Sequence, residues 1–536
     1  MAATPARRSR PNARLLAAFT RPECYPHPVG RVRLLETHIS WVLLTGQYAY
    51  KIKKPIDLGF VDFTTLGLRR HYCEEEVRLN RRLAPELYLG VVEVHGTPEA
   101  PRIGGEGPLI EYAVRMREFP QEALAARLLE RGHFGAAEVD ALAAVVAAFH
   151  AAAPPAPPAG RLGSPAAVIE PAMQNFHQML SLALPAADKA ALHALERWTE
   201  REFEARRAAF AARRRDGRVR ECHGDLHLGN IAVIDGRPVP FDCIEFNDDL
   251  RWIDVASETA FVFMDLVDRK HPELAWRFLN RYLEETGDYE GLAVMRFYVI
   301  YRALVRAKVH LLRMRQPDVL VSARSRLQLA FGRYLRLSER LARLRVPALI
   351  ITHGASGSGK TTTTQRIVEE YGGIRVRSDI ERKRLHGMRP LDRDASAAAG
   401  LYGPEATAAT YARLMQVAEY ALDSGCPAVV DAAFLRRAER EAFRAAAARL
   451  RVPFVILDFD APEALLRERV AARTANATDA SDADLAVLER QLASREPLAP
   501  EEAQAAIRLD AARLRHRPNW PQVMREIALR AGTEKP

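Results

Sequence analysis

The chain is poor in cysteine, in lysine and in long apolar runs, and each shortage closes off a class of protein. Its five cysteines, Cys24, Cys73, Cys222, Cys243 and Cys426, are odd in number and include no CxxC pair. That argues against a disulfide framework and against a structural zinc site, and they read as reduced, mostly buried thiols. No run reaches the roughly 18 apolar residues needed to span a bilayer. The richest, Ala141 to Ala153, is Ala-rich and stopped by Pro154-Pro155, so no membrane partner is expected. At the N-terminus, Arg7, Arg8, Arg10 and Arg14 surround an apolar stretch, Leu15 to Phe19, that is too short for a secretory signal. A transit peptide stays open on that composition, and the cytoplasm is the expected compartment. Aromatic residues are only 7% and do not interleave with the basic ones, which argues against a nucleic-acid partner despite the net charge of +10. Lysine supplies just nine of the 78 basic residues. Five of them, Lys51, Lys53, Lys54, Lys360 and Lys383, fall in segments singled out below on other grounds, where a compact ammonium suits phosphate.

What is present is a length of 536 residues, 48% of them apolar, which calls for two or three domains with sizeable cores. After a basic extension over 1–30, residues 31–116 mix strand-like alternation (His38 to Leu44, Tyr48 to Lys53, Leu89 to Val94, Leu109 to Val114) with a helical stretch from Leu68 to Leu83. This predicts a small α+β lobe. From 121 to 340 the pattern is helical, broken by a Pro-rich stretch near 153–160 and by a strand-and-hairpin passage from Val219 to Phe246. A short linker, 341–346, precedes a third pattern over 347–515, in which apolar strands alternate with helices at Gly373 to Arg377, Ala428 to Asp431, Phe454 to Phe459 and Ala506 to Leu509. Such alternation predicts a parallel sheet covered on both faces, and 516–536 reads as a terminal helix and tail. The fold class is thus multidomain, α+β with a helical lobe followed by an α/β P-loop domain. Nothing in the pattern speaks to oligomeric state.

The third module opens with Gly354-Ala355-Ser356-Gly357-Ser358-Gly359-Lys360-Thr361-Thr362, an apolar strand before it and a helical run after it. This is GxxxxGK[ST] in the context that the motif needs. Backbone N–H groups of the glycine-rich turn can cradle the phosphates of ATP, Lys360 can bridge them and Thr361 can ligate Mg²⁺. The next strand runs into Asp379, where a carboxylate can deprotonate an attacking hydroxyl or simply cap the following helix. The strand after that ends in Asp431, at the place of a Walker B acid or of an ordinary strand-end turn. Arg467, Arg469 and Arg473 lie along one helix, as phosphate clamps or as a solvated basic face. The segment from Arg467 to about Leu492 is the candidate for a closing lid, with Thr474 to Ser481 as its expected mobile part. Together these residues resemble the small P-loop kinases that include gluconate kinase, chloramphenicol phosphotransferase and the zeta-toxin-type sugar-nucleotide kinases. The resemblance implies ATP and Mg²⁺, with the acid at Asp379 on the substrate hydroxyl and arginines at Arg467 or Arg473 on phosphate.

In the first module, Cys222-His223-Gly224-Asp225-Leu226-His227-Leu228-Gly229-Asn230 is followed by Asp242 beyond a short hairpin. A loop Asp can take a hydroxyl proton while an Asn five residues on and a second Asp hold Mg²⁺. A metal site at Cys222, His223 and His227 is the weaker reading, because Gly224 opposes the helix that would aim both histidines at one ion; His223 can equally lock the loop by hydrogen bonding. The residues resemble the aminoglycoside phosphotransferase family, which has a protein-kinase-like fold. This implies Asp225 as base, Asn230 and Asp242 as metal ligands, and a strand lysine paired to a helix glutamate, for which Lys51 with Glu76 is favoured over an edge-strand charge. The hairpin Thr45-Gly46-Gln47 departs from the family's kinase relatives in having no Gly-rich phosphate loop.

The tandem resembles bacterial fusions of an aminoglycoside-phosphotransferase-like module with an AAA-type P-loop kinase module. It implies two ATP sites, the C-terminal one acting on a hydroxyl of a small metabolite or nucleotide sugar. Two rivals stay open: an ATP-driven regulatory protein with a pseudokinase N-terminal module, and a polynucleotide 5′-hydroxyl kinase.

Overall fold

Alternating apolar residues between Arg33 and Arg117 build an antiparallel sheet whose two faces are covered by different helices. In the computed structural model, which describes residues 10–59, 61–316, 319–343, 345–389, 392, 403–476, 483–510 and 520–530, six strands form this sheet. They are β1 (Arg33–Glu36), β2 (Ser40–Leu44), β3 (Tyr48–Lys53), β4 (Tyr88–Thr97), β5 (Ala100–Ile103) and β6 (Leu109–Arg117), in the order β1-β2-β3-β6-β4-β5. Helix α1 (Arg10–Phe19) lies at one face, where Leu15, Phe19 and Tyr25 join Trp41, Leu43, Tyr50 and Ile52 in a single core. Helix α2 (Leu66–Asn80) covers the other with Cys73 and Val77 against Tyr88, Tyr112 and Val114. Because strand side chains alternate with period 2, Tyr50 and Ile52 take the first face and Lys51 and Lys53 the second.

Two features differ from the sequence reading. The stretch Leu15 to Phe19 is part of the sheet's core, because Phe19 is fully buried there. The first hairpin is also a different one: β1 pairs β2 around Thr37-His38-Ile39, and Thr45-Gly46-Gln47 joins β2 to β3. Strand β1 has no apolar alternation to mark it, because all four of its residues are solvent-exposed. The first turn lacks glycine altogether.

The chain divides into two compact units, Met1–Ala167 with Arg214–Glu258, and Val168–Arg213 with Thr259–Pro536. The first adds to the sheet α3 (Ala125–Glu130), α4 (Ala136–Ala152) and two antiparallel pairs, β7 (Val219–Glu221) with β10 (Trp252–Asp254) and β8 (Ile231–Ile234) with β9 (Arg237–Pro240).

The second unit joins the helices α5 (Pro165–Leu180), α6 (Ala186–Arg215), α7 (Val255–Asp268), α8 (Pro272–Thr286), α9 (Leu292–Met314) and α10 (Val321–Arg343) to the α/β module. Its sheet is parallel, with the order β12-β13-β11-β14-β15, for β11 (Leu349–His353), β12 (Ile374–Arg377), β13 (Ala428–Asp431), β14 (Phe454–Asp460) and β15 (Ala506–Asp510). Between the strands run α11 (Lys360–Tyr371), α12 (Ser378–Leu385), α13 (Pro404–Ser424), α14 (Arg437–Leu450), α15 (Glu463–Asn476) and α16 (Leu485–Ala493); α17 (Trp520–Arg530) follows β15. The central strands are continuous apolar runs, buried on both faces as a parallel sheet requires. Ile527 of α17 is fully buried with Ile350, Ile367, Val429 and Leu457.

Truncating Phe19 tests whether the N-terminal helix is structural. Phe19→Ala is expected to destabilise the small lobe by about 3–5 kcal/mol in urea unfolding, the cost of emptying a buried aromatic site; a loss under about 1 kcal/mol would place this helix outside the core.

Candidate active site

The strand-to-helix turn between β11 and α11 is built by glycines that no other residue could replace without strain. Gly354, Gly357 and Gly359 have φ of +153°, +84° and +89°. A Cβ at Gly357 would lie 3.0 Å from the carbonyl oxygen of Leu466, and one at Gly354 would lie 3.0 Å from the Cβ of Phe459. The successive backbone N–H groups of such a turn face one concavity at a helix N-terminus, which is the donor set that a polyphosphate needs. Lys360 Nζ donates to the carbonyls of Gly354 at 2.9 Å and Ala355 at 2.8 Å, across the mouth of the turn. The side chain of Gln491 accepts from Ser356 N at 2.8 Å, and Arg469 donates to Gly357 O at 3.2 Å.

A cavity of about 780 Å³ opens from this turn and is lined by Lys360, Thr361, Thr362, Arg377, Asp379 and Asp431. Arg377 and Asp431 stand opposite one another at the C-terminal ends of β12 and β13, where ligands of open α/β sheets bind. Asp431 is almost wholly buried and accepts from Thr364 Oγ1 at 3.3 Å. Asp379 is the second residue of α12, whose N-cap is Arg377; its carboxylate accepts from Arg382 at 3.2 Å and does not cap the helix. Thr361 and Asp431 together supply the oxygen donors that a hard divalent cation takes. Tyr411 and Glu439 also line the cavity, and burial raises the Glu439 carboxyl above its usual range.

The arginines on α15 are sorted by geometry. Arg469 lines the cavity, whereas Arg467 is paired to Glu463 and Glu489 and is absent from the lining. Arg467 and Arg469 are two residues apart, and residues two apart on a helix face about 200° apart. The side chain of Arg473 and residues 477–482 lie outside the described residues. Arg436 and Arg490, which the sequence reading did not single out, also line the cavity; neither sits in a motif, and only the folded chain brings them to the P-loop.

In the first unit, Glu76 on α2 is fully buried and is shared by two lysines from β3. Lys51 Nζ is 2.7 Å from one of its oxygens and Lys53 Nζ is 2.8 Å from the other. Lys51 also reaches Asp242 at 2.5 Å, and Lys53 pairs with buried Glu245. Burial opposes the Lys51 charge, but Asp242 and Glu76 outweigh it and hold the ammonium well above its usual range. Burial likewise opposes ionisation of Glu76, and the two ammonium groups overcome it, lowering its carboxyl to about 2. Lys51 is therefore the lysine that joins Glu76 to Asp242, and Lys53, two residues on and on the same strand face, braces it from beneath. Asp242 itself sits at φ +68°, a left-handed conformation that bends the chain just after β9.

The loop after β7 is held from several directions. Asn230 donates to both the carbonyl and the carboxylate of Asp225, each at 3.0 Å. His223 is fully buried, and burial lowers its pKa. The neutral ring donates through Nε2 to Phe241 O at 2.8 Å and accepts from Asp225 N at Nδ1, 3.3 Å away, which is the locking role. Gly224 N donates to Glu258 at 2.7 Å, and Glu258 meets His150 at 2.9 Å. Asp225 and Asp242 remain about two-fifths exposed, so the two carboxylates face solvent above a buried ionic floor. Beside them a cavity of about 220 Å³ is lined by Leu35, Thr37, Lys51, Tyr88, Phe119 and Asp242. Asn230 and Asp242 provide oxygen ligands suited to a divalent cation, and Lys51 a cation suited to phosphate.

Residues 64–298 match a phosphotransferase enzyme family, and residues 349–498 match an AAA domain family. Over 468 residues the chain is 29% identical to an uncharacterized protein of Mycobacterium tuberculosis (strain ATCC 25618 / H37Rv), a match that covers 85% of this chain and 90% of that relative. Among solved structures it is similar to a gluconokinase from Sinorhizobium meliloti 1021, at 24% identity over 35% of this chain and 90% of that one, with a TM-score of 0.22. It is also similar to an amicoumacin kinase solved with AMP-PNP, Ca²⁺ and Ami, at 12% identity over 61% and 94% of the two chains, with a TM-score of 0.38.

The shared carboxylate has a pH signature. Because the folded pKa of Glu76 is depressed, the stability it contributes is fully present above its unfolded value near 4.5 and is lost as pH falls toward about 2. Glu76→Gln is expected to be less stable than wild type at pH 7, with the gap closing between pH 4.5 and 2 in denaturant melts. A gap that stays constant across that window would contradict this assignment.

Proposed function

We propose that this ATP-dependent kinase, a phosphotransferase-family domain followed by an AAA-type P-loop domain, uses the P-loop domain to phosphorylate a hydroxyl of a small molecule or nucleotide sugar. The observation that carries the reading is that Lys360, Asp379 and Asp431 line one cavity together with Gly357 and Gly359 of the glycine turn. ATP supplies the phosphoryl group when bound, and Mg²⁺ offsets its charge. Lys360 exchanges the carbonyls of Gly354 and Ala355 for phosphate oxygens, Thr361 and Asp431 hold the cation, and Arg469 steadies charge at the loop. Asp379 takes the proton of the acceptor hydroxyl as its oxygen bonds to phosphorus, and the bond to ADP breaks.

A second transfer site in the first unit is supported by the assembled set Lys51, Glu76 and Asp242 beside Asp225 and Asn230. There Asp225 is the base, Asn230 and Asp242 are the cation ligands and Lys51 contacts phosphate. The reading places the protein in the cytoplasm, with a small-molecule substrate.

Comparing wild type, Lys360→Ala and Asp225→Ala for phosphorylation of a metabolite extract with labelled ATP separates the two sites. Lys360→Ala is expected to abolish C-terminal transfer by at least about 100-fold in rate, the scale of removing a transition-state charge donor. Unchanged transfer in Lys360→Ala with loss in Asp225→Ala would move the activity to the first unit. Nucleotide binding without any transfer by wild type would favour an ATP-driven switch.

A further inference from the structure

Strand β12 is an edge of the parallel sheet, and an edge strand presents backbone groups that need partners. Here a side chain provides them. Asn280, on α8 and almost wholly buried, donates to Gly373 O at 2.9 Å and accepts from Arg375 N at 2.6 Å, so that its carboxamide stands in for a neighbouring strand. Gly372 at φ +86° allows Trp276 to approach, since a Cβ there would lie 2.8 Å from the indole nitrogen. Helix α8 belongs to the residues that match the phosphotransferase family, yet within this unit it is built onto the sheet of the P-loop domain.

One turn beyond Asn280, Glu284 meets Arg375 at 2.7 Å, with both side chains almost wholly buried. The same guanidinium donates to the carbonyl of Thr361 at 3.2 Å, in the first turn of α11. Arg375 and Arg377 share one face of β12, and Glu284 lies near enough to both that they hold its carboxylate below the usual range against burial. Helices α12 and α13 are tied to the same region. Arg384 of α12 donates to the carbonyl of Glu284, and Arg413 of α13 bridges Glu381 at 3.1 Å and Glu290 at 3.5 Å.

We infer that Glu284, which lies outside the P-loop domain's own sequence, is a positioning residue for the P-loop site: it holds Arg375, Arg375 holds the Thr361 carbonyl, and this sets the first turn of α11 that presents Lys360 and Thr361. The inference rests on the phosphotransferase reading of the P-loop. It follows that the P-loop domain cut at its family boundary lacks part of its own active-site support.

The test uses the full chain and the Lys360-dependent part of ATP turnover, defined by subtracting the rate of Lys360→Ala. The double variant Glu284→Gln with Arg375→Gln removes both charges of the pair together, and Arg377, the other β12 arginine near Glu284, keeps Asp431 at 4.0 Å, so the melting temperature is expected to stay near that of wild type. Its kcat is expected to fall by about 10- to 100-fold, with the KM for ATP changed by less than about threefold, because the groups that act in the transition state are displaced while nucleotide binding persists. Glu284→Asp, which keeps the counter-charge but shortens its reach, is expected to fold normally and to lose kcat several-fold. Wild-type kcat in either folded variant overturns the inference. So does a loss of kcat that follows the melting temperature alone. Absence of any Lys360-dependent turnover in wild type instead sinks the phosphotransferase reading, and this inference with it.

Discussion

A charge taken out of water must meet an opposite charge at hydrogen-bond distance, and this constraint organises both candidate sites. In the first unit Glu76, fully buried on α2, is shared by Lys51 and Lys53, whose other partners are Asp242 and Glu245. Helix α2, strand β3 and the segment after β9 are thereby tied to one carboxylate. In the second unit Arg375 is met by Glu284, and Arg440 of α14, wholly buried, takes both oxygens of Glu502 at 2.7 and 2.9 Å. Neither partner of such a pair can be removed alone without leaving an uncompensated charge, so each pair locks two elements that are distant in sequence.

The two sites use this constraint differently. The ionic set around Glu76 reaches the exposed carboxylates of its candidate site directly, because Lys51 touches Asp242 and Asp242 lies open beside Asp225's loop. The P-loop site keeps its buried pair one step back. Arg375 acts on a backbone carbonyl, and the groups facing the cavity, Lys360, Asp379 and Asp431, are aimed by a glycine turn and by the ends of parallel strands. The difference follows from the folds. A parallel sheet collects strand ends and a helix N-terminus at one edge, whereas in the antiparallel lobe the Asp242 segment is brought to Glu76 by a lysine side chain of β3.

Local chemistry made much of this legible in advance. The P-loop, the Asp225 loop and the strand lysines each occupy a few neighbouring residues, and a turn, a strand period or a helix start is decided within that range. The pairing of Lys51 and Lys53 on one strand face followed from period 2 alone. The parallel sheet followed from apolar strands alternating with helices, and strands such as Ala428–Asp431 were delimited by the residues that end them. Strand β1 was not legible, because its exposed residues Arg33–Glu36 pair through backbone hydrogen bonds that no side-chain pattern records.

What the sequence by itself determined is therefore the chemistry of each module: an ATP-type phosphate turn, a loop of acid and amide side chains, and the order in which two kinase-type domains follow one another. The tertiary structure decided which of several like residues line the cavity. It chose Arg469 over Arg467 by facing one into the cavity and the other toward Glu463 and Glu489. It put the apolar N-terminal stretch into the small lobe's core, and it built α8 onto the edge of the P-loop sheet through Asn280 and Glu284. The physical reason is range. Dihedral preference and side-chain period act over a few residues, but burial and charge compensation act between any two surfaces that folding brings together, and no local pattern carries that information.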